Sequence, residues 1–337
     1  MTTALHLLHA PSDGSAPSDG SALPRVDACA AALRLVAGVE RVVHGRHRQV
    51  SLIACAILAG GHVLVEDVPG SGKTTLARAF ARTLGGDFRR IQGTADLLPG
   101  DITGSGVWEA ERRAFSFVPG PVFGNVVLVD ELNRTPPRTQ SAFMEAMDEG
   151  AVTVDGQRHA LPDPFVVLAT QNPLEQYGTY PLPEGQLDRF AVTLELGPNS
   201  PAVERQVVRE QLGHATVDDL TAVTSPAELA RVRAEVRRTF VADAVLDHAL
   251  RLVEATRTHP AVALGASTRA ALVLVRCAQA RALLAGRDHV VPDDVKAVAA
   301  PVLGHRLVLA EAAAGSGLRR GQVLVAELVA TVPLPLA

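Results

Sequence analysis

Residues 66–75 read Glu-Asp-Val-Pro-Gly-Ser-Gly-Lys-Thr-Thr, directly after the apolar run His62-Val63-Leu64-Val65. A Gly-rich loop between a strand and a helix presents backbone N–H groups to phosphate oxygens at the positive end of the helix dipole. Pro69, Gly70, Ser71, Gly72, Lys73, Thr74 and Thr75 are therefore the candidate phosphate-binding residues. The lysine is informative, because the chain has 32 Lys plus Arg and only Lys73 and Lys296 are lysine. A compact ammonium can sit between β- and γ-phosphate oxygens, whereas a guanidinium is a planar fork. Thr74 would place its hydroxyl on Mg2+, and Thr75 would approach the α-phosphate side. The full G-x-x-x-x-G-K-[ST] pattern wants glycine at position 67, where this chain has Asp67, so Pro69 would fix the turn instead. Taken alone, the segment also fits an ordinary Gly-rich turn.

Asp130-Glu131 closes the apolar run Val126-Val127-Leu128-Val129. Two carboxylates at the end of a buried strand are costly unless a cation or hydrogen bonds satisfy them. Asp130 would hold Mg2+ and Glu131 would polarise a water; the plain alternative is a solvated pair in the following loop. Asn172 ends the run Phe165 to Thr170. Ligands of open α/β sheets bind beyond the carboxyl ends of the strands, which puts Asn172 on the edge of Lys73 and Glu131. It would orient the attacking water, or else it is only a turn residue before Pro173. Arg189 and Arg269 each open an element, and either could neutralise charge on a γ-phosphate. In so Arg-rich a chain, a single arginine is by default a surface cation.

Positioning these groups takes a particular set of elements. Helical periodicity covers 26–43 and 47–59, then a strand at 62–67 and a helix over 73–84 closed by Gly85-Gly86. Strands follow at 88–92, 126–129, 165–169 and 191–196. Five strands separated by helices predict a parallel sheet covered on both faces. Residues 94–124 and 151–163 read as inserted hairpins, the second turning at Asp155-Gly156. Residues 1–24 repeat Ala-Pro-Ser-Asp-Gly-Ser and form a tail too polar to fold, expected to be disordered. The α/β core is expected over 25–198 and a helical domain over 199–337, where Ala, Leu, Val and Arg dominate.

Composition narrows the function classes. The chain is 47% hydrophobic with a net charge of −4, so no global attraction to nucleic acid or anionic lipid is expected. The basic run Arg231, Arg233, Arg237, Arg238 is interleaved with Glu228 and Glu235, which suits a solvated helix face. No uncharged apolar run reaches the ~20 residues of a membrane span, and no targeting signal is evident. Three separated cysteines predict reduced, packed thiols in a cytoplasmic protein. His44-x-x-His47 has helical spacing but lacks further ligands for a structural metal.

The ordered set of motifs resembles the MoxR family of AAA+ ATPases. The match runs through Gly61 to Arg78, Arg90-Ile91-Gln92, Asp96 to Gly104, Phe117 to Phe123, Val129 to Met147, Ala169 to Glu184 and Gln186 to Phe190. The resemblance implies an α/β P-loop NTPase core with a parallel sheet, followed by an all-α lid domain, with nucleotide between them. It implies ATP and Mg2+ as cofactors and a homo-oligomeric ring, usually a hexamer. Arg189 takes the place of a finger given to a neighbouring subunit and Arg269 that of the lid's second sensor. The inserted hairpins would face the ring's pore. His44-Gly45-Arg46 falls where relatives often carry Val-Gly-Gln near the adenine. The family implies chaperone-like remodelling of a separate client, often with a von Willebrand factor A domain, for maturation or metal or cofactor insertion. A nucleic-acid motor, or a nucleotide-gated scaffold with little hydrolysis, are the competing readings.

Overall fold

The computed structural model describes residues 23–66, 70–172, 178–212, 217–310 and 317–334. The first 22 residues of the expected tail, together with Asp67 and Pro69, lie outside the described residues. Two helices, α1 (Arg25–Glu40) and α2 (His47–Leu58), lead into β1 (His62–Glu66). Next come α3 (Lys73–Leu84), β2 (Phe88–Gln92) and the short α4 (Pro99–Thr103). The first hairpin is β3 (Gly104–Glu109) with β4 (Ala114–Pro119). After it run β5 (Val126–Asp130), α5 (Pro137–Glu149), and the hairpin β6 (Ala151–Val154) with β7 (Gln157–Ala160). The core closes with β8 (Val166–Gln171), α6 (Glu184–Leu187) and β9 (Phe190–Leu194).

β2, β5, β8, β1 and β9 form one five-stranded sheet in that order, and each neighbouring pair is parallel. The expected parallel sheet is therefore present. The interior strands β5 and β1 are buried at every residue, as their unbroken apolar runs require when both faces are covered. At the edge, β2 leaves Arg89 and Arg90 exposed. One buried cluster lies between the sheet and α1 to α3, and another on the opposite face with Phe143, Met144 and Met147 of α5.

Beyond Pro198 the described chain is almost wholly helical: α7 (Pro201–Leu212), α8 (Pro226–Arg238), α9 (Asp243–Thr258), α10 (Thr268–Leu284), α11 (Pro292–Leu303) and α12 (Gly317–Thr331). Two short strands, β10 (Val262–Leu264) and β11 (Val308–Leu309), pair antiparallel. This helical region is not a detached lobe. Leu229, Leu274 and Val298 belong to the same buried cluster as Leu35 of α1 and Ile53 of α2. Arg306 stitches the two parts together: its Nε donates to Asp188 Oδ1 at 2.7 Å and its Nη2 to Phe190 O at 2.6 Å.

Candidate functional site

The candidate phosphate loop lies between β1 and α3. Gly70 and Gly72 stand at φ 85° and 91°, in the left-handed region, and a Cβ at either would meet open space. Glycine is thus required by the backbone angle rather than by crowding, and the bare backbone leaves room for a ligand. The Ser71 hydroxyl in the same loop is buried with no hydrogen-bond partner. An orphaned donor, two bare glycines and a lysine at the first turn of a helix fit an anion such as a nucleotide's phosphates.

Three neighbouring strands bring the remaining groups to the same edge. Asp130 ends β5, and its Oδ2 lies 3.5 Å from the Thr74 hydroxyl. A carboxylate beside a threonine hydroxyl belongs to the oxygen donor set that Mg2+ takes at nucleotide sites. Asn172 follows β8 and is buried. The Thr170 hydroxyl ties the two strands, donating to Asp130 Oδ1 at 3.2 Å and accepting from the Glu131 N–H at 3.0 Å.

Both carboxylates already have partners. Arg90 of β2 reaches Asp130 Oδ2 through Nε at 2.9 Å and Nη2 at 2.7 Å. Glu131 Oε2 accepts from Gln92 Nε2 at 3.0 Å and lies 3.2 Å from Arg134 Nε. Arg90, Gln92, Arg134 and Thr170 were not among the residues expected from sequence. Arg90 and Gln92 stood out only as polar side chains in an expected strand, and their contact with the carboxylates follows from β2 lying beside β5.

Arg189 and Arg269 stand apart from the loop. Arg189 precedes β9, whose Phe190 pairs with His62 at the start of β1. It therefore lies where the strands begin, a strand length (roughly 15 Å) from the phosphate loop. Asp148, at the end of α5, accepts from Arg189 Nε through Oδ2 at 2.6 Å and from Arg269 Nη2 through Oδ1 at 2.6 Å. Arg269 was expected beside nucleotide held between this chain's own core and lid. It stands with Arg189 on the far edge instead, because α10 packs against α1 and α2 and not over the loop. Asp148 itself escaped the sequence reading. Its one signal was an acid in the last turn of a helix, where the dipole disfavours negative charge.

Other candidates have structural partners. His44 pairs with Glu210 of α7 and His47 with Glu40. Arg46 caps the carbonyls of Leu196 and Gly197, at the exit from the core. Cys55 and Cys277 are buried free thiols, and burial pushes Cys277 up to about 12. Among the described residues, no helix is long and apolar enough to cross a membrane, and no group of three acidic, histidine or cysteine side chains is placed to hold a metal.

Comparison with known proteins agrees with this geometry. The family described as "ATPase family associated with various cellular activities (AAA)" matches residues 62–192, and an "AAA lid domain" matches residues 254–327. The chain is 44% identical over 302 residues to YeaC of Bacillus subtilis, a protein still uncharacterised, covering 90% of this chain and 94% of the relative. It is 39% identical to chaperone MoxR1 of Mycobacterium tuberculosis, over 90% of this chain and 82% of the relative. It is 32% identical to MoxR of Methylorubrum extorquens, over 90% and 95%. A crystal structure of a provisionally assigned ATPase from Cytophaga hutchinsonii superposes with a TM-score of 0.84 at 34% identity, covering 93% of this chain and 97% of that one. With the sheet order, the phosphate loop and the paired carboxylates all in place, the chain belongs to the MoxR family of AAA+ ATPases.

Proposed function

We propose that this chain is a Mg2+-dependent ATPase that works as a ring of identical subunits, a hexamer in the family's usual form, in the cytoplasm. In this reading it remodels a separate client protein, one with a von Willebrand factor A domain whose maturation or metal loading it assists. The chaperone name carried by the Mycobacterium tuberculosis relative supports the client role.

The observation that carries the shared-site reading is the separation of the charges. Lys73, Asp130, Glu131 and Asn172 occupy one edge of the sheet, while Asp148 gathers Arg189 and Arg269 at the other. In this reading a single chain carries the two halves of a site back to back, and a neighbour in a ring would complete it. The Asp148 pairs are short but partly exposed, worth roughly 0–1 kcal/mol each. A γ-phosphate of the adjacent subunit would compete well for both guanidinium groups.

The loop N–H groups and Lys73 would hold the phosphates, and Thr74 and Asp130 would hold the metal. Bound Mg2+ supplies charge neutralisation for the transferred phosphoryl group. Glu131 would take the proton of the attacking water that Asn172 orients. To do so its carboxylate must leave Gln92 and Arg134.

Mixing two inactive variants tests the shared site. Glu131→Gln lacks the base but keeps its arginines, and Arg189→Ala has the reverse defect. Mixed rings should recover a measurable fraction of wild-type ATP turnover. No recovery, with both variants shown to co-assemble, would refute the arrangement.

A further inference from the structure

The basic run of α8 is exposed, as expected, at Arg231, Arg237 and Arg238, but Arg233 turns inward. Arg233 is only 9% exposed, and it lines a cavity of about 300 Å³ where the core meets the helical region. The core contributes Leu58 to Gly60, at the end of α2, and Asp163. The helical region contributes Arg233 and Arg237, one turn apart on α8, and Arg276 of α10. Arg233 Nε donates to Ile57 O at 2.9 Å and Nη1 lies 3.5 Å from Asp163 Oδ1, while the buried Nη2 has no partner. Neither Arg237 nor Arg276 has a side-chain ion pair among the described residues. Three guanidinium groups thus face one carboxylate, and that carboxylate is 78% exposed. Burial draws Arg233 down to about 10, with Asp163 opposing the fall and Arg237 adding to it. It remains a cation at neutral pH. A buried, charged donor without an acceptor is costly, and an anion would satisfy it.

We propose that this cavity is a second anion site, separate from the phosphate loop, which takes the phosphoryl group of a small phosphorylated metabolite. Guanidinium forks match carboxylate and phosphate alike, but three forks around one space suit a tetrahedral oxyanion, which offers oxygens in several directions. The volume is at the small end for ligand pockets, which favours a compact group. Because the walls come from both parts of the chain, an occupant ties α8 and α10 to the end of α2. It therefore stabilises their packing by mass action.

Pyrophosphate is the probe, titrated by calorimetry into the full chain carrying Lys73→Ala, which disables the phosphate loop. One pyrophosphate per chain should still bind and raise the melting temperature. Adding Arg237→Gln and Arg276→Gln should weaken that binding at least tenfold. The same pair in an otherwise wild-type chain should leave ADP binding at the loop unchanged. These outer arginines are chosen because an Arg233 variant risks failing to fold. Pyrophosphate binding that vanishes with Lys73→Ala alone, or that ignores the paired substitution, overturns the site. So does loss of ring assembly in the paired variant with pyrophosphate binding intact, which would make these arginines a subunit contact.

Discussion

Glu131 stands at φ 57° and ψ 50°, a left-handed conformation that a non-glycine residue rarely adopts. The cost is of order 1 kcal/mol, and the hydrogen bond from its N–H to the Thr170 hydroxyl helps to hold it. The turn lifts the carboxylate out of line with β5, toward Gln92 and Arg134. Glu131→Gln should keep ATP binding and lose ~10²–10⁴ in turnover, as expected for a positioned base. Turnover near wild type in a steady-state phosphate-release assay would dismiss that role. Arg90 makes the opposite kind of prediction. It sits on the carboxylate assigned to the metal, in a pair whose arginine is half exposed. Arg90→Ala should lower the Mg2+ concentration for half-maximal activity by a few fold, since a pair of that exposure is worth no more than about 1 kcal/mol. A Mg2+ titration of ATPase rate that shifts the other way would show Arg90 aiding the metal rather than competing with it. The sequence named Glu131 and Asp130 from a bare strand-end pair. It could not name Arg90 or Gln92 as their partners, because that contact depends on which strand lies beside β5.

At the scale of elements, His62 pins the start of β1. Its Nδ1 accepts from the Val167 N–H of β8 at 3.0 Å, and its Nε2 donates to Met147 O at the end of α5 at 3.1 Å. That pattern needs the neutral ring with the proton on Nε2. Burial first of all lowers the ring to about 4, despite the bond to Met147 that opposes the fall. The unfolded chain therefore takes up a proton near pH 6.5 that the folded chain refuses. His62's contribution is full above pH 6.5 and declines as pH falls toward about 4, by roughly 3 kcal/mol in total. Urea titrations between pH 7.5 and 4.5 should show this loss, and His62→Gln should flatten the pH dependence across that window. An unchanged slope in the variant would assign the acid sensitivity elsewhere. Residue 62 read as no more than the first residue of an apolar strand. The hairpin turn at Asp155-Gly156, by contrast, was legible outright, and both residues adopt the positive φ that type I′ geometry demands.

For the molecule as a whole, the junction of core and helical region decides where the arginines point. Arg306, nearly fully buried, spans it by pairing with Asp188 and bonding the Phe190 carbonyl. Arg306 is the buried partner and Asp188 is 26% exposed, so losing the arginine's charge-assisted hydrogen bonds costs about 1.5–3 kcal/mol. Arg306→Ala should therefore lower stability by that amount in chemical denaturation and weaken the placement of Arg189, which follows Asp188 directly. A loss under 1 kcal/mol would mean that the apolar contacts of α1, α2 and α10 hold the junction alone.

The sequence by itself determined the local chemistry: the glycines and lysine of the loop, the acids closing β5, the asparagine after β8 and the five strands that carry them. Each follows from neighbours along the chain, through turn geometry, strand period and the cost of leaving a carboxylate buried. Only the tertiary structure decided that Arg269 stands with Arg189 around Asp148, on the edge away from the loop, and that Arg233 is buried. Those outcomes depend on how α8 and α10 dock against α1 and α2. Docking is settled by apolar packing between segments that lie far apart along the chain, and no local spacing encodes it.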